Sequence, residues 1–423
     1  MPRAIERRAG NRPVRPSYAA RPPETSVRRW AALALAVLLA FGLLTLWVTA
    51  RWAAGVVEVG IHALVIVWLA GALWRGFPVR LQPILIPLGG AVAWGVMQIA
   101  TERTVYAWET ERMTLEWLTR LAALFLAMQL FSEDTVRSRF LRGLLWFGFV
   151  LSVAAILQRF TAPHRIFWLF ETPLEGVMGP FVYHNQYAAF VELVMPLALL
   201  GAALRPGERW IYAAIAAALA ASVVAANSRA GAALVMAEIG VVAMALRRRM
   251  GISWRQLALG TAAVLLLLAV FAGAVGWAPL FEKLRREDQL AERRELMLST
   301  AEMARERPLF GFGLGTWATA YPAYARFDDG RRDNQAHNDW LQWAAEGGLP
   351  FLALMLLMAG MLAGPAWRSG WGVGLLAVLV HCLVDYHFQQ RPVFGYLYFV
   401  LAGVVLVSAP AAQDRADRAG QDH

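Results

Sequence analysis

Residues 209–250 read RWIYAAIAAALAASVVAANSRAGAALVMAEIGVVAMALRRRM. Two apolar runs, about 210–226 and 231–246, carry arginines at their outer ends and are joined by Asn227-Ser228-Arg229-Ala230-Gly231. A helix needs about 20 mostly apolar residues to cross a hydrocarbon core of roughly 30 Å, and inside that core it satisfies its own backbone groups. The stretch therefore reads as a helical hairpin in a bilayer. Arginine-rich ends stay on the cytoplasmic side, which Arg205 and Arg209 mark before the hairpin and Arg247, Arg248 and Arg249 after it. The link is too short to be a solvated loop and holds Arg229 at the opposite membrane surface.

Working outward, further runs fall at about 30–50, 56–74, 81–100, 114–132, 140–158 and 182–204 before the hairpin, and at 255–275, 348–364, 371–388 and 393–409 after it. The expected fold is all-α, a polytopic membrane protein of about 12 transmembrane helices. Counted from a cytoplasmic N-terminus, Arg75 and Arg80, Arg137, Arg139 and Arg142, and Arg368 also fall inside, so count and charge agree. Both termini are then cytoplasmic. The domain reading is a disordered basic tail over 1–29, transmembrane helices 1–9 over 30–275, an extracytoplasmic loop over 276–347, helices 10–12 over 348–409 and a cytoplasmic tail over 410–423. The large loop between spans 9 and 10 is where function should concentrate. Within it Pro279 to Arg307 is expected to be helical, with Leu284, Leu290, Leu296, Met297 and Met303 at loose helical spacing. A second outer segment, 159–181, is expected to pack beside it. Internal repeats are not evident, and the long loop follows the ninth span, unlike carriers built from two similar six-helix bundles.

Composition agrees with the membrane reading: 58% of the 423 residues are apolar and 17% charged, and mean hydropathy is +0.46. The net charge of +10 comes almost wholly from arginine, since Lys283 is the only lysine. Those arginines sit beside apolar runs, where they meet anionic headgroups, and form no basic face interleaved with aromatics, which argues against nucleic acid as a partner. Cys382 is the single cysteine, so an internal disulfide and a thiolate metal cage are both excluded. The first apolar run is too long for a signal-peptide core and is expected to be a retained helix.

Charged groups in or at the rim of a span are costly and are default candidates for function. Here they are Arg120, Glu192, Arg229 beside Asn227, Glu238, His381, Asp385 and His387, with Arg293, Arg294, His337, Asn338 and Asp339 in the loop. An arginine fork such as Arg229 suits a phosphate or diphosphate; the plainer reading is a side chain that snorkels to the interface. Arg293 and Arg294 lie between Glu292 and Glu295, a charge run that is usually a solvated face. His337 can take a proton from a hydroxyl near neutral pH, with Asn338 or Asp339 orienting its ring. No His-x-x-x-His or carboxylate pair stands at ligand spacing, so a metal site is not expected. His381 and Asp385, four apart, share a helical face and are expected to pair or to buttress the arginines, a transporter-like proton relay being the sharper alternative. Gly311-x-Gly313-x-Gly315 reads as a turn and, without a preceding strand, not as a nucleotide loop.

In order, Gly179-Pro-Phe-Val-Tyr-His-Asn-Gln-Tyr-Ala-Ala-Phe190, Ser228-Arg229-Ala230-Gly231, Arg293 ahead of Pro308-Leu-Phe-Gly-Phe-Gly-Leu-Gly315, Ala336-His-Asn-Asp-Trp-Leu-Gln342 with Glu346-Gly-Gly348, and His381-Cys-Leu-Val-Asp385 form a series. Over about residues 175 to 400 this series resembles the O-antigen ligase and polymerase superfamily of bacterial envelope glycosyltransferases. The resemblance implies a GT-C-like fold in the cytoplasmic membrane and a metal-independent, cofactor-free transfer of a glycan from undecaprenyl diphosphate to an acceptor hydroxyl on the outer face. It assigns Arg229 and Arg293 to the diphosphate and His337 to the role of base or acceptor-positioning group. It also implies substrate contacts at His184, Asn185, Arg294, Asn338, Asp339 and Asp385. Many relatives carry Asn-Arg-Asn where this chain has Tyr183-His184-Asn185, so His184 stands where a basic contact is expected. Trp317, Tyr321, Tyr324 and Trp340 are available to stack on sugar faces, or form an interfacial belt. The acceptor (lipid A core, a growing polysaccharide or a protein hydroxyl) stays open, as do a transporter or flippase and an inactive assembly scaffold.

Overall fold

The computed structural model describes residues 23–174, 176–250, 288–326 and 333–408, with isolated positions between 253 and 273. Its helices are α1 (Pro23–Leu44), α2 (Trp52–Arg75), α3 (Leu85–Ala100), α4 (Ala107–Leu130), α5 (Asp134–Thr161), α6 (His184–Leu204), α7 (Arg209–Ala225) and α8 (Arg229–Met250). Then come α9 (Asp288–Glu306), α10 (Trp317–Ala320), a 3-10 turn at Tyr321–Ala323, α11 (Asp339–Ser369), α12 (Val373–His381), α13 (His387–Gln390) and α14 (Pro392–Ser408). Among the described residues six helices are long and apolar enough to cross a membrane, namely α1 from Ser26, α2, α5, α6, α8 as far as Arg247, and α11, while α3, α7 and α14 are shorter apolar helices. The chain is thus a nearly all-helical, multi-pass membrane protein. Residues 1–22 of the expected N-terminal tail, the expected C-terminal tail, most of the expected span at 255–275 and the start of the expected loop helix lie outside the described residues, whereas residues 23–29, expected to be disordered, form the start of α1.

Helix ends follow local chemistry. Gly76 closes α2 in the left-handed region at φ 68°, where glycine costs nothing. The Ser228 hydroxyl accepts the Gly231 N–H at 3.2 Å and so starts α8 directly after the Asn-Ser turn. Asn338 caps α11 by accepting the Leu341 N–H at 2.9 Å. Gly348, at φ 72° and ψ −179°, breaks α11 into two helical pieces, at the Glu346-Gly-Gly break read from the sequence.

The core is built around α4, α6 and α14. Trp117 of α4 meets the rings of Phe351 at 5.4 Å and of Trp343 and Phe399 at 6.1 Å. From Asn185 to Pro196, α6 is buried all round, as expected of a helix apolar on every face. Arg120 of α4 is fully buried under Trp117, with its guanidinium 4.3 Å from the ring centroid, and donates to the Phe388 carbonyl at 3.0 Å.

Two expectations need correction. The run at 371–388 is not one helix: α12 ends at His381, and residues 382–386 form a turn before α13, so His381 and Asp385 share no helical face. The segment 159–181 folds an antiparallel pair, β1 (Arg165–Ile166) and β2 (Phe170–Glu171). It rests on the link after α1, with the Phe170 and Trp47 rings 4.3 Å apart.

Candidate active site

The turn between α12 and α13 is laced from three directions. The Asp339 N–H donates to the Cys382 and Asp385 carbonyls at 2.9 and 3.1 Å, and its carboxylate accepts the Phe388 N–H at 3.1 Å. The Asn338 amide donates to the Leu383 carbonyl at 2.8 Å, Trp340 to that of Leu379 at 3.0 Å and Gln186 of α6 to that of His387 at 3.2 Å. Asn338 therefore spends its side-chain polar atoms on backbone, and Asp339 one carboxylate oxygen. Their contribution is to position Asp385.

Asp385 is fully buried and collects the chemistry. Tyr183 donates to one carboxylate oxygen at 2.7 Å, and the Asn185 amide donates to the other. Arg293 of α9 lies 3.5 Å from the carboxylate and anchors itself by donating to the Val384 carbonyl at 3.1 Å. The His337 Nδ1 stands 3.7 Å from the carboxylate, its ring against Tyr386 at 4.5 Å between centroids. Two of the three residues singled out for chemistry, Arg293 and His337, thus meet on one buried carboxylate that the sequence reading had placed among the substrate contacts. Burial in this ring of side chains is the largest influence on His337 and, despite Asp385, lowers its imidazole from 6.5 to about 4. The ring is neutral at physiological pH.

Arg229 opens α8, half-buried. The space beside Gly231, two residues on, is filled by Ala188 of α6, one helical turn from His184 and Asn185, so Arg229 enters at the same end of α6 as Asp385's partners. His184 is half-buried beside Tyr183, ring centroids 5.4 Å apart. Arg294 is exposed and makes no hydrogen bond or ion pair with a described residue; it is not drawn to Asp385.

His381 pairs with Glu192 at 2.7 Å, both fully buried, in place of the expected Asp385. The His387 ring lies 4.2 Å from that of His381, and Glu238 of α8 is buried within electrostatic reach of Glu192. Among the described residues no group of His, Cys, Asp and Glu is arranged to hold a metal ion.

The glycine turn after Pro308 is real, with Gly311, Gly313 and Gly315 all at positive φ. The Glu346 carboxylate closes it by accepting the Gly315 and Trp317 N–H groups at 2.9 and 3.2 Å. Of the four aromatics offered for sugar stacking or an interfacial belt, Trp317 and Tyr321 are buried and Tyr324 and Trp340 half-buried. Trp317 and Tyr321 are stacked on each other at 4.4 Å, Tyr324 donates to Glu306 at 2.6 Å, and Trp340 packs on the bundle core. Tyr183 and Tyr386, stacked at 4.9 Å, are the rings beside His337. Sequence reasoning quoted Tyr183 only as part of a motif; its adjacency to Asn185 was the available signal.

Residues 214–356 match the family model described as O-antigen ligase. The matched segment, about a third of the chain, is thus similar to the O-antigen ligase family. The match confirms the resemblance to the O-antigen ligase and polymerase superfamily and supports glycosyl transfer of that general type. The matched segment holds Arg229, Arg293 and His337, whereas Tyr183, Asn185 and Asp385 come to it from outside, by folding. No curated protein matches the chain.

Proposed function

We propose that this protein transfers a glycan from undecaprenyl diphosphate to an acceptor hydroxyl at the outer face of the bacterial cytoplasmic membrane, in the manner of an O-antigen ligase. The observation that carries the reading is the convergence of Arg293 and His337 on buried Asp385, beside an end of α6 that Arg229 also reaches. The proposed layout has about 12 spans, with both termini cytoplasmic and the 276–347 loop outside.

In the reaction the anomeric carbon loses its bond to the diphosphate and gains one to the acceptor oxygen. Charge grows on the departing diphosphate, and guanidinium forks aimed at it lower the barrier. Arg293 engages two partners out of the five N–H donors of its fork, which leaves others for phosphate oxygens. Arg229 supplies the second fork. His337, its Nδ1 turned to Asp385, presents its other ring nitrogen to the acceptor hydroxyl and accepts the proton as the new bond forms. No metal or cofactor is called for in this scheme. Asp385 holds both groups in register, and Tyr183 and Asn185 hold Asp385. Ligation to a lipid core, polymerisation and transfer to a protein hydroxyl use the same chemistry.

The buried Glu192–His381 pair is the observation that favours a transporter instead, since paired ionisable groups inside a bundle mark proton pathways. Liposomes separate the two. With purified lipid-diphosphate glycan, candidate acceptors and chelator, wild type forms product and His337→Ala forms none. Glycolipid that crosses the bilayer without any product would support the transporter.

A further inference from the structure

The far end of α1 carries charge and an apolar groove that glycosyl transfer leaves unused. A cavity of about 730 Å³ runs between α1 and α5, walled by Leu33, Val37, Leu43, Phe140 and Phe147 and floored by Leu397 of α14. On α1 it extends from Ser26 to Leu43, a rise of about 25 Å, longer than one leaflet of a core roughly 30 Å thick. Polar groups gather at one end only, where Arg29 and Arg139 line it. Arg29 pairs with Glu133 at 3.1 Å. Arg139 is exposed and makes no hydrogen bond or ion pair with any described residue. Beside them Trp30 is 71% exposed, an amphipathic ring suited to the headgroup level. The sequence just before α1 adds Arg3, Arg7, Arg8, Arg12, Arg15 and Arg21 against the single acid Glu6.

A long apolar slot with cations at one mouth is complementary to an amphiphile with an anionic head. The donor lipid does not fit it. The helices α5 and α6 follow one another and run in opposite directions through the bundle, so the start of α5, with Arg139, lies at the end away from the start of α6, where Asp385, Arg293 and His337 meet. A diphosphate at those residues leaves the Arg29–Arg139 mouth unfilled. We propose that this groove binds one anionic glycerophospholipid, its acyl chain along α1 and α5 and its phosphate on Arg29 and Arg139. The lipid fastens the first helix to the bundle at the end where the arginine-rich tail begins. This is independent of the reaction catalysed.

The full-length protein, reconstituted in nanodiscs of mixed phosphatidylglycerol and phosphatidylcholine and released into mild detergent, is read by native mass spectrometry. Wild type retains one phosphatidylglycerol in preference to phosphatidylcholine. Arg139→Gln lowers that retention about fivefold, and Arg139→Lys keeps it. Gly143→Phe removes it by filling the slot: Gly143 lines the groove, and a Cβ there meets no atom within 4 Å, so the added side chain starts without a clash. Arg326→Gln, on the loop that follows α10, changes nothing. Equal retention of the two lipids, retention unchanged by Arg139→Gln and Gly143→Phe, or displacement of phosphatidylglycerol by undecaprenyl phosphate would each overturn the proposal.

Discussion

His337 sits at φ 53°, a left-handed backbone that a residue with a Cβ adopts only when its surroundings hold it there. Its neighbours also hold its charge. Burial keeps the ring near 4 against an ordinary 6.5, so the folded protein binds fewer protons than the unfolded chain between those values. The stability this site contributes is present above about 6.5 and is lost as pH falls toward 4. We expect the thermal midpoint of wild type to drop across that interval, and the drop to shrink in His337→Gln. A ring-nitrogen NMR titration should show this one of the seven histidines with no inflection near neutrality; an inflection near 6.5 would contradict the buried setting. Arg293 makes a different demand. A lysine retains the charge but cannot hold the Val384 carbonyl and Asp385 in one planar fork, so Arg293→Lys should lower kcat by roughly ten- to a hundredfold, about 1.4–2.7 kcal/mol, with the protein still inserted. Transfer at the wild-type rate would remove Arg293 from the reaction.

At the scale of elements, the decisive features are breaks. The break in α11 at Gly348 brings the Pro308–Leu309 backbone so close that a Cβ would run into their carbonyls, and the residue's φ is 72°. Gly348→Ala should cost roughly 2–4 kcal/mol from overpacking and strain and lower the melting temperature in detergent. Gly360, farther along the same helix, has open space around its Cβ position. Gly360→Ala should leave the melting temperature unchanged or raise it, by up to about 1 kcal/mol of stability. If the two variants melt alike, the close approach at Gly348 is not what holds the loop turn to the bundle. The break after α12 matters as much, because a continuous helix would have carried Asp385 around with His381 instead of turning it toward Tyr183, Asn185, Arg293 and His337.

For the whole molecule, the proposed orientation is testable through the one native thiol. Cys382 is fully buried, so an impermeant maleimide reports introduced cysteines alone. In intact cells Glu171→Cys and Arg326→Cys should label, whereas Glu208→Cys and Arg368→Cys should label only after permeabilisation. Labelling of Glu208→Cys from outside would mean that the spans before it are miscounted.

Run length, the placement of arginine and the order of short motifs are local properties, and with them the sequence by itself determined a helical membrane protein and put forward Arg229, Arg293, His337 and Asp385 as candidates, while the start of α11 at Asp339 and the break after His381 lay beyond its reach. Periodicity reports a residue's face and burial, and says nothing about which of several distant partners will reach it. Only the tertiary structure decided that His381 belongs to Glu192, 189 positions away, that Tyr183 and Asn185 grip Asp385 across about 200 positions, and that Trp317 and Tyr321 fill a core. A buried charge or ring must be satisfied by whatever the packing brings within hydrogen-bond or van der Waals reach, and that neighbour is chosen by the fold as a whole.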